Sequence, residues 1–330
     1  MRRDARTFLL VALALFAAGC EGVQSALAPE GVHAERSAFL FWAMTIGGTL
    51  IFAALIVLTG FALLAPRRSR QWMTQESLLI GAGVVFPVVT LSVLLTYGFI
   101  VTGRPVSGDG EPRPIEIAVD GRRWWWSVTY RDEDNRPVVS ANELRIPAGR
   151  PVAIKLTSPD VIHSFWIPKL AGKLDMIPGR VNLLTLNARR VGVMRGQCAE
   201  YCGGAHALMA FNVVVMAPEA FEAWLRRERA SALEPADALA QQGKALFFAT
   251  GCNACHSIRG AAAASELGPD LTHVGGRTSI GAATLGVDKA NFARWIRDNQ
   301  HIKPGNLMPA YGIFTPGQLD ALASYLAGLH

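Results

Sequence analysis

The sequence predicts a multidomain membrane protein of 330 residues: a two-helix transmembrane hairpin, an all-β Greek-key barrel and an all-α C-terminal domain. Three observations predict it. Two long apolar stretches without internal charge lie near the N-terminus. Short β-type runs punctuated by turn residues fill the middle. From about residue 236 the apolar residues recur at helical spacing instead.

The first segment, 1–19, reads as a secretory signal. Met1-Arg-Arg-Asp-Ala-Arg6 is a basic start, Thr7 to Ala18 is a short apolar run, and small residues precede Cys20. Ala17-Ala18-Gly19-Cys20 resembles a bacterial lipoprotein box, in which Cys20 becomes the acylated first residue; Ala17 stands where such boxes usually carry leucine. Residues 20–37 form an N-terminal segment ahead of the hairpin.

The hairpin, 38–102, contains apolar stretches at about 38–65 and 78–101. Each exceeds the roughly 20 residues needed to cross ~30 Å of hydrocarbon. The connection Pro66-Arg67-Arg68-Ser69-Arg70-Gln71-Trp72 is basic, which places it in the cytoplasm and both helix ends outside. The sequence therefore predicts a multi-pass protein of the bacterial plasma membrane, in contact with lipid, with later domains on the outer, periplasmic face.

In 103–217, strands are expected at 115–119, 123–130, 143–146, 151–156, 189–194 and 210–216, separated by turns such as Pro147-Ala-Gly149 and Pro178-Gly179. A helix over 218–229 and an Ala/Glu/Arg-rich linker complete the piece 218–235. In 236–330, helices are expected at 238–248, 291–299 and 316–329. Thr315 is the cap of the last and Pro316 its first helical residue.

The formal charge is +6, but the excess is spread thinly: 7 basic against 5 acidic residues in 1–102, 18 against 15 in 103–235, and 7 against 6 in 236–330. No basic patch supports nucleic-acid binding.

Two motifs carry chemistry. The first is His163 followed by Cys198-Ala-Glu200-Tyr-Cys202-Gly-Gly-Ala-His206-Ala-Leu-Met209. Two thiolates, two imidazoles and a thioether are soft to borderline donors that suit copper over magnesium or calcium. Two close cysteines can bridge a metal pair and leave one histidine for each, the donor set of a dinuclear copper centre. A mononuclear blue-copper site uses one cysteine and leaves the other unexplained. Copper-delivery proteins that carry Cys-x-x-x-Cys place their histidine far downstream.

The second motif is Cys252-Asn-Ala-Cys255-His256, the c-type haem attachment sequence. Two thiols add to the haem vinyl groups and the adjacent histidine reaches iron. For the sixth iron ligand, Met308 in Leu307-Met308-Pro309 resembles the methionine loop of small soluble cytochromes c, with His273 and His301 as rivals. Gly268-Pro269 fits a turn whose proline carbonyl orients the proximal histidine. In Trp124-Trp125-Trp126, strand alternation sends at least one ring to the face opposite its neighbours. An exposed Trp is a natural docking surface.

With these residues in view, the chain resembles subunit II of haem–copper cytochrome c oxidases, in the bacterial subtype with a C-terminal fused cytochrome c domain. The resemblance rests on Gly121-Arg-Arg-Trp124-Trp-Trp126, Asp160-Val-Ile-His163-Ser-Phe-Trp-Ile-Pro168, Leu174-Asp-Met-Ile-Pro-Gly-Arg180 and the two motifs above. It implies a cupredoxin-like barrel and a class I cytochrome c fold. His163, Cys198, Cys202, His206 and Met209 would bind copper A through side chains and Glu200 through its backbone carbonyl. The Glu200 carboxylate would help hold magnesium at the subunit I interface. Trp124 matches the tryptophan through which electrons arrive, and Glu76 resembles an acidic residue near the mouth of a proton channel. Expected partners are subunits I and III and cytochrome c or another periplasmic donor.

Two departures from the family pattern are visible. Arg122-Arg123 replaces the usual histidine and glutamine, and Ala261 to Ala264 looks inserted. Oxygen reduction and proton pumping would occur on subunit I. Two alternatives stand beside this reading: a subunit of a nitric-oxide-reducing relative, and a membrane-tethered electron carrier or copper-handling protein acting alone.

Overall fold

The computed structural model describes residues 21–103, 113–261, 265 and 267–330. The expected signal segment with Cys20, and residues 262–264 of the expected insertion, lie outside the described residues. The chain divides into a helical unit, Glu35–Asp109, and a second unit that holds the rest.

The helical unit is a pair of long apolar helices. Helix α1 is Val32–Leu64; a 3₁₀ turn, Arg67–Thr74, follows. Then come α2 (Glu76–Ile80), a π-helical turn (Gly81–Val85) and α3 (Phe86–Gly103), which run on as one apolar rod. Both rods are long and apolar enough to cross a membrane. Exposed residues such as Val57, Leu63, Leu91 and Phe99 coat them, a surface that lipid solvates and water does not. The rings of Phe39 and Tyr97, 6.0 Å apart, join the two helices. The π turn lies just before Pro87, whose ring clashes with the carbonyl of the preceding turn; widening that turn relieves the clash. Helix α1 begins six residues before the expected apolar stretch. Apolarity marks the part suited to lipid, whereas the polar first turns are also good helix formers.

The middle of the chain is a β-sandwich of ten strands. They are β1 (Ile115–Arg122), β2 (Trp125–Arg131), β3 (Pro137–Ala141), β4 (Glu143–Pro147), β5 (Val152–Thr157), β6 (His163–Trp166), β7 (Leu174–Met176), β8 (Asn182–Leu186), β9 (Gly192–Cys198) and β10 (Ala210–Met216). One sheet has the order β3-β2-β1-β5-β8 and the other β4-β10-β9-β6-β7. The parallel pairs β1/β5 and β4/β10 require chain crossovers, as expected for a Greek key. Strands β3, β6, β7 and β8 were not expected from the sequence, and β9 lies a few residues downstream of its expected place. These strands are short, and several alternate positions carry polar or metal-donor side chains instead of apolar ones. Between the sheets, Trp126, Phe165 and Phe211 form an aromatic core, with Phe165 stacked on Phe211 at 4.8 Å and Trp126 edge-on to Phe211 at 5.0 Å.

Helix α4, Pro218–Arg229, is the helix expected there and packs on this sandwich: Phe221 and Trp224 are buried against Tyr130. Residues 21–34 also pack on it. Gly31 bridges Ala188, and the Glu30 carboxylate pairs with Arg190 at 2.7 Å and Lys169 at 3.5 Å.

The C-terminal domain is helical. Helix α5 (Ala238–Ala249) starts at Asp237, whose carboxylate accepts from Ala240 N at 2.8 Å. Helix α6 (Lys289–Ile302) starts at Asp288, capped in the same way by Asn291 N. Helix α7 (Pro316–Ala327) opens with a reciprocal capping box between Thr315 and Gln318. A two-residue hairpin, β11 (Ser279–Ile280) with β12 (Leu285–Gly286), is too short to read from sequence. Phe247, Ile258, Phe292, Ile296, Leu322 and Tyr325 form the core.

Candidate metal centre and haem pocket

Strand β6 carries His163 and strand β9 ends at Cys198, and the pairing of Phe165 with Cys198 brings the two together across 35 residues. The chain then leaves β9, loops through Cys202 and His206, and returns at Met209. A bond from Cys198 N to Met209 O at 2.9 Å closes the loop. Cys198 Sγ lies 3.8 Å from His163 Nδ1 and 3.7 Å from Cys202 Sγ. Cys202 Sγ lies 3.5 Å from His206 Nδ1 and 3.8 Å from Met209 Sδ. Glu200 enters through its backbone: its carbonyl oxygen is 3.2 Å from Cys198 Sγ. All six expected donors therefore converge on one locus, with His163, Cys198, Cys202 and Met209 buried and Glu200 and His206 half-buried. Their spacing is that of sulfur-centred hydrogen bonds, and it gathers soft donors closely enough to share metal ions.

Hydrogen bonding from the Cys202 thiol, ahead of His163, pushes the Cys198 thiol far down, and the same pairing pushes Cys202 up. One proton therefore leaves the pair more readily than the second. Burial works to lower His163, but its bonds to Cys198 and Asp160 outweigh this and raise it.

Sequence reasoning missed Asp160 as part of the site. Its carboxylate holds His163 Nε2 at 2.9 Å, which leaves Nδ1 facing the thiols. The Asp-x-x-His spacing is the signal that could have revealed it.

The haem motif borders a cavity of about 360 Å³ in the C-terminal domain, lined by Cys252, Cys255, His256 and Met308 among others. His256 Nδ1 donates to Pro269 O at 2.8 Å, so Nε2 is left for iron. Gly268 is required beside it, because a Cβ there would stand 2.7 Å from His256 Cε1. Burial lowers His256, opposed by the Pro269 carbonyl, and so favours the neutral ring that binds metal. Met308 lines the cavity, whereas His273 is bonded to Ala230 O and His301 faces solvent beside Asp298. The buried Nε of Arg277, on the cavity wall, has no hydrogen-bond partner among the described residues. An apolar cavity with two thiols, a neutral imidazole, a thioether and an orphaned guanidinium nitrogen fits haem with its propionates.

The three tryptophans separate by role. Trp126 is core packing. Trp125 lies under Arg122, 5.6 Å from its guanidinium carbon. Trp124 touches both sites: Nε1 donates to Cys202 O at 2.9 Å, and the residue lines the haem cavity. Glu76 lies in the first turn of α2, in the helical unit. Lys303 is a further residue the sequence did not reveal. It is buried between the copper loop and the haem cavity, and burial lowers its ammonium to about 7 against the opposing effect of Cys202.

Fold and donor sets together define a membrane-anchored protein with a cupredoxin-like domain and a cytochrome c domain. The family described as "Cytochrome C oxidase subunit II, periplasmic domain" matches residues 133–217, and "Cytochrome c" matches residues 240–330. Cytochrome c oxidase subunit 2 of Alkalihalophilus pseudofirmus is 33% identical, over 96% of this chain and 94% of that protein. The Bacillus subtilis protein of the same name is 30% identical, over 98% of this chain and 97% of its own length. A solved periplasmic domain of subunit II from Bradyrhizobium japonicum is 30% identical over 36% of this chain and 96% of that chain, with a TM-score of 0.34. The chain belongs to the cytochrome c oxidase subunit 2 family, in the form that carries its own cytochrome c domain. A cytochrome c domain implies haem, a subunit II domain implies copper A, and membership implies association with subunit I in a haem–copper oxidase.

Proposed function

We propose that this chain is the electron-input subunit of a terminal oxidase. It accepts electrons on its cytochrome domain, passes them through Trp124 to the copper domain, and delivers them to subunit I, where oxygen is reduced to water with proton pumping. The observation that carries this reading is the position of Trp124, whose indole bonds the carbonyl of Cys202 and also lines the haem cavity.

Haem and a dinuclear copper A, when bound, supply one-electron redox chemistry without a large change of structure. Cys252 and Cys255 would hold haem covalently, with His256 and Met308 on the iron. His163, Cys198, Cys202, His206, Met209 and the Glu200 carbonyl would hold copper. Asp160 and the Pro269 carbonyl fix the tautomers of His163 and His256, so each ring presents its free nitrogen to the metal. The sandwich buries the thiols and keeps water from them.

The finer assignments extend this reading. The Glu200 carboxylate supplies a hard oxygen for magnesium where the chain meets subunit I, and Glu76 lies near the mouth of a proton channel. Both helices of the hairpin cross the bacterial plasma membrane, and the two redox domains face the periplasm. Subunit III is a further partner, and a soluble cytochrome c or similar protein is the donor.

Purification from native membranes tests the function. A polytopic subunit should copurify, and the complex should consume oxygen when a reduced donor is added. A chain that purifies alone would overturn the reading in favour of a tethered carrier. A complex that consumes nitric oxide but not oxygen would overturn it in favour of the related reductase.

A further inference from the structure

The copper and cytochrome domains meet around one buried lysine. Lys303 is 3% exposed, and among the described residues it has no carboxylate partner. Its Nζ donates to three backbone carbonyls: Trp124 O at 2.7 Å, Leu208 O at 2.8 Å and Gly281 O at 3.2 Å. The first two belong to the copper domain and the third to the cytochrome domain. Three acceptors match the three protons of an ammonium. Burying such a group is costly, and simple adhesion between domains would be served by an apolar side chain. A lysine clamped on carbonyls instead fixes direction and distance.

The carbonyls it grips are those nearest the redox residues. Trp124 is the residue whose indole bonds Cys202 O, and Leu208 immediately precedes Met209. On its own side, the Lys303 carbonyl accepts from Asn306 Nδ2 at 2.8 Å. Asn306 Oδ1 in turn accepts from Met308 N at 3.0 Å, and Gln300 Nε2 donates to Met308 O at 2.7 Å. One side chain thus ties the copper loop to the methionine loop of the haem pocket. Between the loops, the Trp124 ring rests against two bare glycines. A Cβ on Gly203 would stand 3.0 Å from Cζ2, and a Cβ on Gly305 would stand 3.8 Å from Cη2.

Other contacts hold the rim of the interface. Glu143 Oε2 accepts from Thr278 N at 2.7 Å, Arg145 donates to Gly276 O at 3.0 Å, and Asn212 donates to Thr278 Oγ1 at 2.7 Å. The domains therefore stay together without Lys303, but the seat under Trp124 loosens.

We propose that Lys303 is a positioning residue for transfer between the two domains, seating the cytochrome domain on the copper loop with Trp124 held between Gly203 and Gly305. This rests on the reading that electrons cross from one domain to the other.

The test uses the full-length chain in its oxidase complex, unmodified and as Lys303→Met, Lys303→Gln and Asn212→Ala. Haem and copper content, haem midpoint potential, hydrogen exchange over residues 121–126 and 300–308, and the rate of flash-initiated transfer between haem and copper are measured. Transfer between fixed centres falls with added distance and lost contact, so a looser seat under Trp124 slows it. Lys303→Met should therefore slow transfer several-fold, with content and potential unchanged and exchange increased in both segments. Lys303→Gln, which keeps a donor, should fall between, and Asn212→Ala should stay close to the unmodified rate. Unchanged transfer in Lys303→Met would overturn the proposal, as would a fall explained by a shifted haem potential. No transfer in the unmodified chain would sink the functional reading itself and the proposal with it.

Discussion

In the sandwich, every proposed copper donor is set by a strand or by the loop that joins two paired strands, and His163, Cys198, Cys202 and Met209 are all buried. In the cytochrome domain the corresponding groups sit on turns around a cavity, and Cys255 is exposed. The first site is held together by protein alone: an aromatic core lies behind it and Asp160 fixes His163. The second is a space whose walls need something between them. A rigid scaffold suits a centre that must change oxidation state with little motion. A domain organised by its cofactor can instead be short, because the cofactor supplies part of the core.

The contrast can be broken in graded ways. The largest expected effect comes from the cysteine pairs. Cys252→Ser with Cys255→Ser should remove cooperative unfolding of the cytochrome domain, a loss of about 5 kcal/mol or more, the scale of a small domain's whole stability. Cys198→Ser with Cys202→Ser should leave the sandwich folded. Circular dichroism melts of the full-length variants, read in the far and near ultraviolet, check this, and the reverse pattern would contradict the comparison.

Next is the support behind the copper loop. Phe211→Ala removes a ring packed on both Trp126 and Phe165 and should cost about 3–5 kcal/mol in denaturant unfolding. Because Phe165 pairs with Cys198, copper retention should weaken in the same variant.

A smaller effect separates holding a ligand from being one. Asp160→Asn should lower copper affinity roughly 10- to 100-fold in competition titrations while the fold persists, the usual cost of removing a ligand's outer partner. A change no larger than that of a surface asparagine control would show that His163 needs no such orientation. The smallest is Thr315→Ala, which deletes the capping box of α7 and should cost about 1 kcal/mol, confined to the cytochrome domain.

What the sequence reveals follows from how local the chemistry is. The haem motif, the copper loop, the membrane stretches and the Thr315 cap are each written within a few consecutive residues, so spacing suffices to read them. Strands β6 and β7 are hard to read because a three- or four-residue strand shows too little alternation, and His163 and Ser164 occupy positions where apolar residues would mark a core. Lys303, between Ile302 and Pro304, looks like any surface lysine. Its partners are main-chain oxygens 22, 95 and 179 residues away, and backbone groups carry no sequence signature. Arg277 and Asp160 share this difficulty in part, since their roles depend on which walls the fold brings near them.

The central claim is that one chain holds both redox groups, and the direct measurement is copper and haem analysis of the purified, matured full-length protein with electron paramagnetic resonance. The account predicts a copper pair showing mixed valence and a single covalent haem per chain. One copper or none, with haem present, would contradict it.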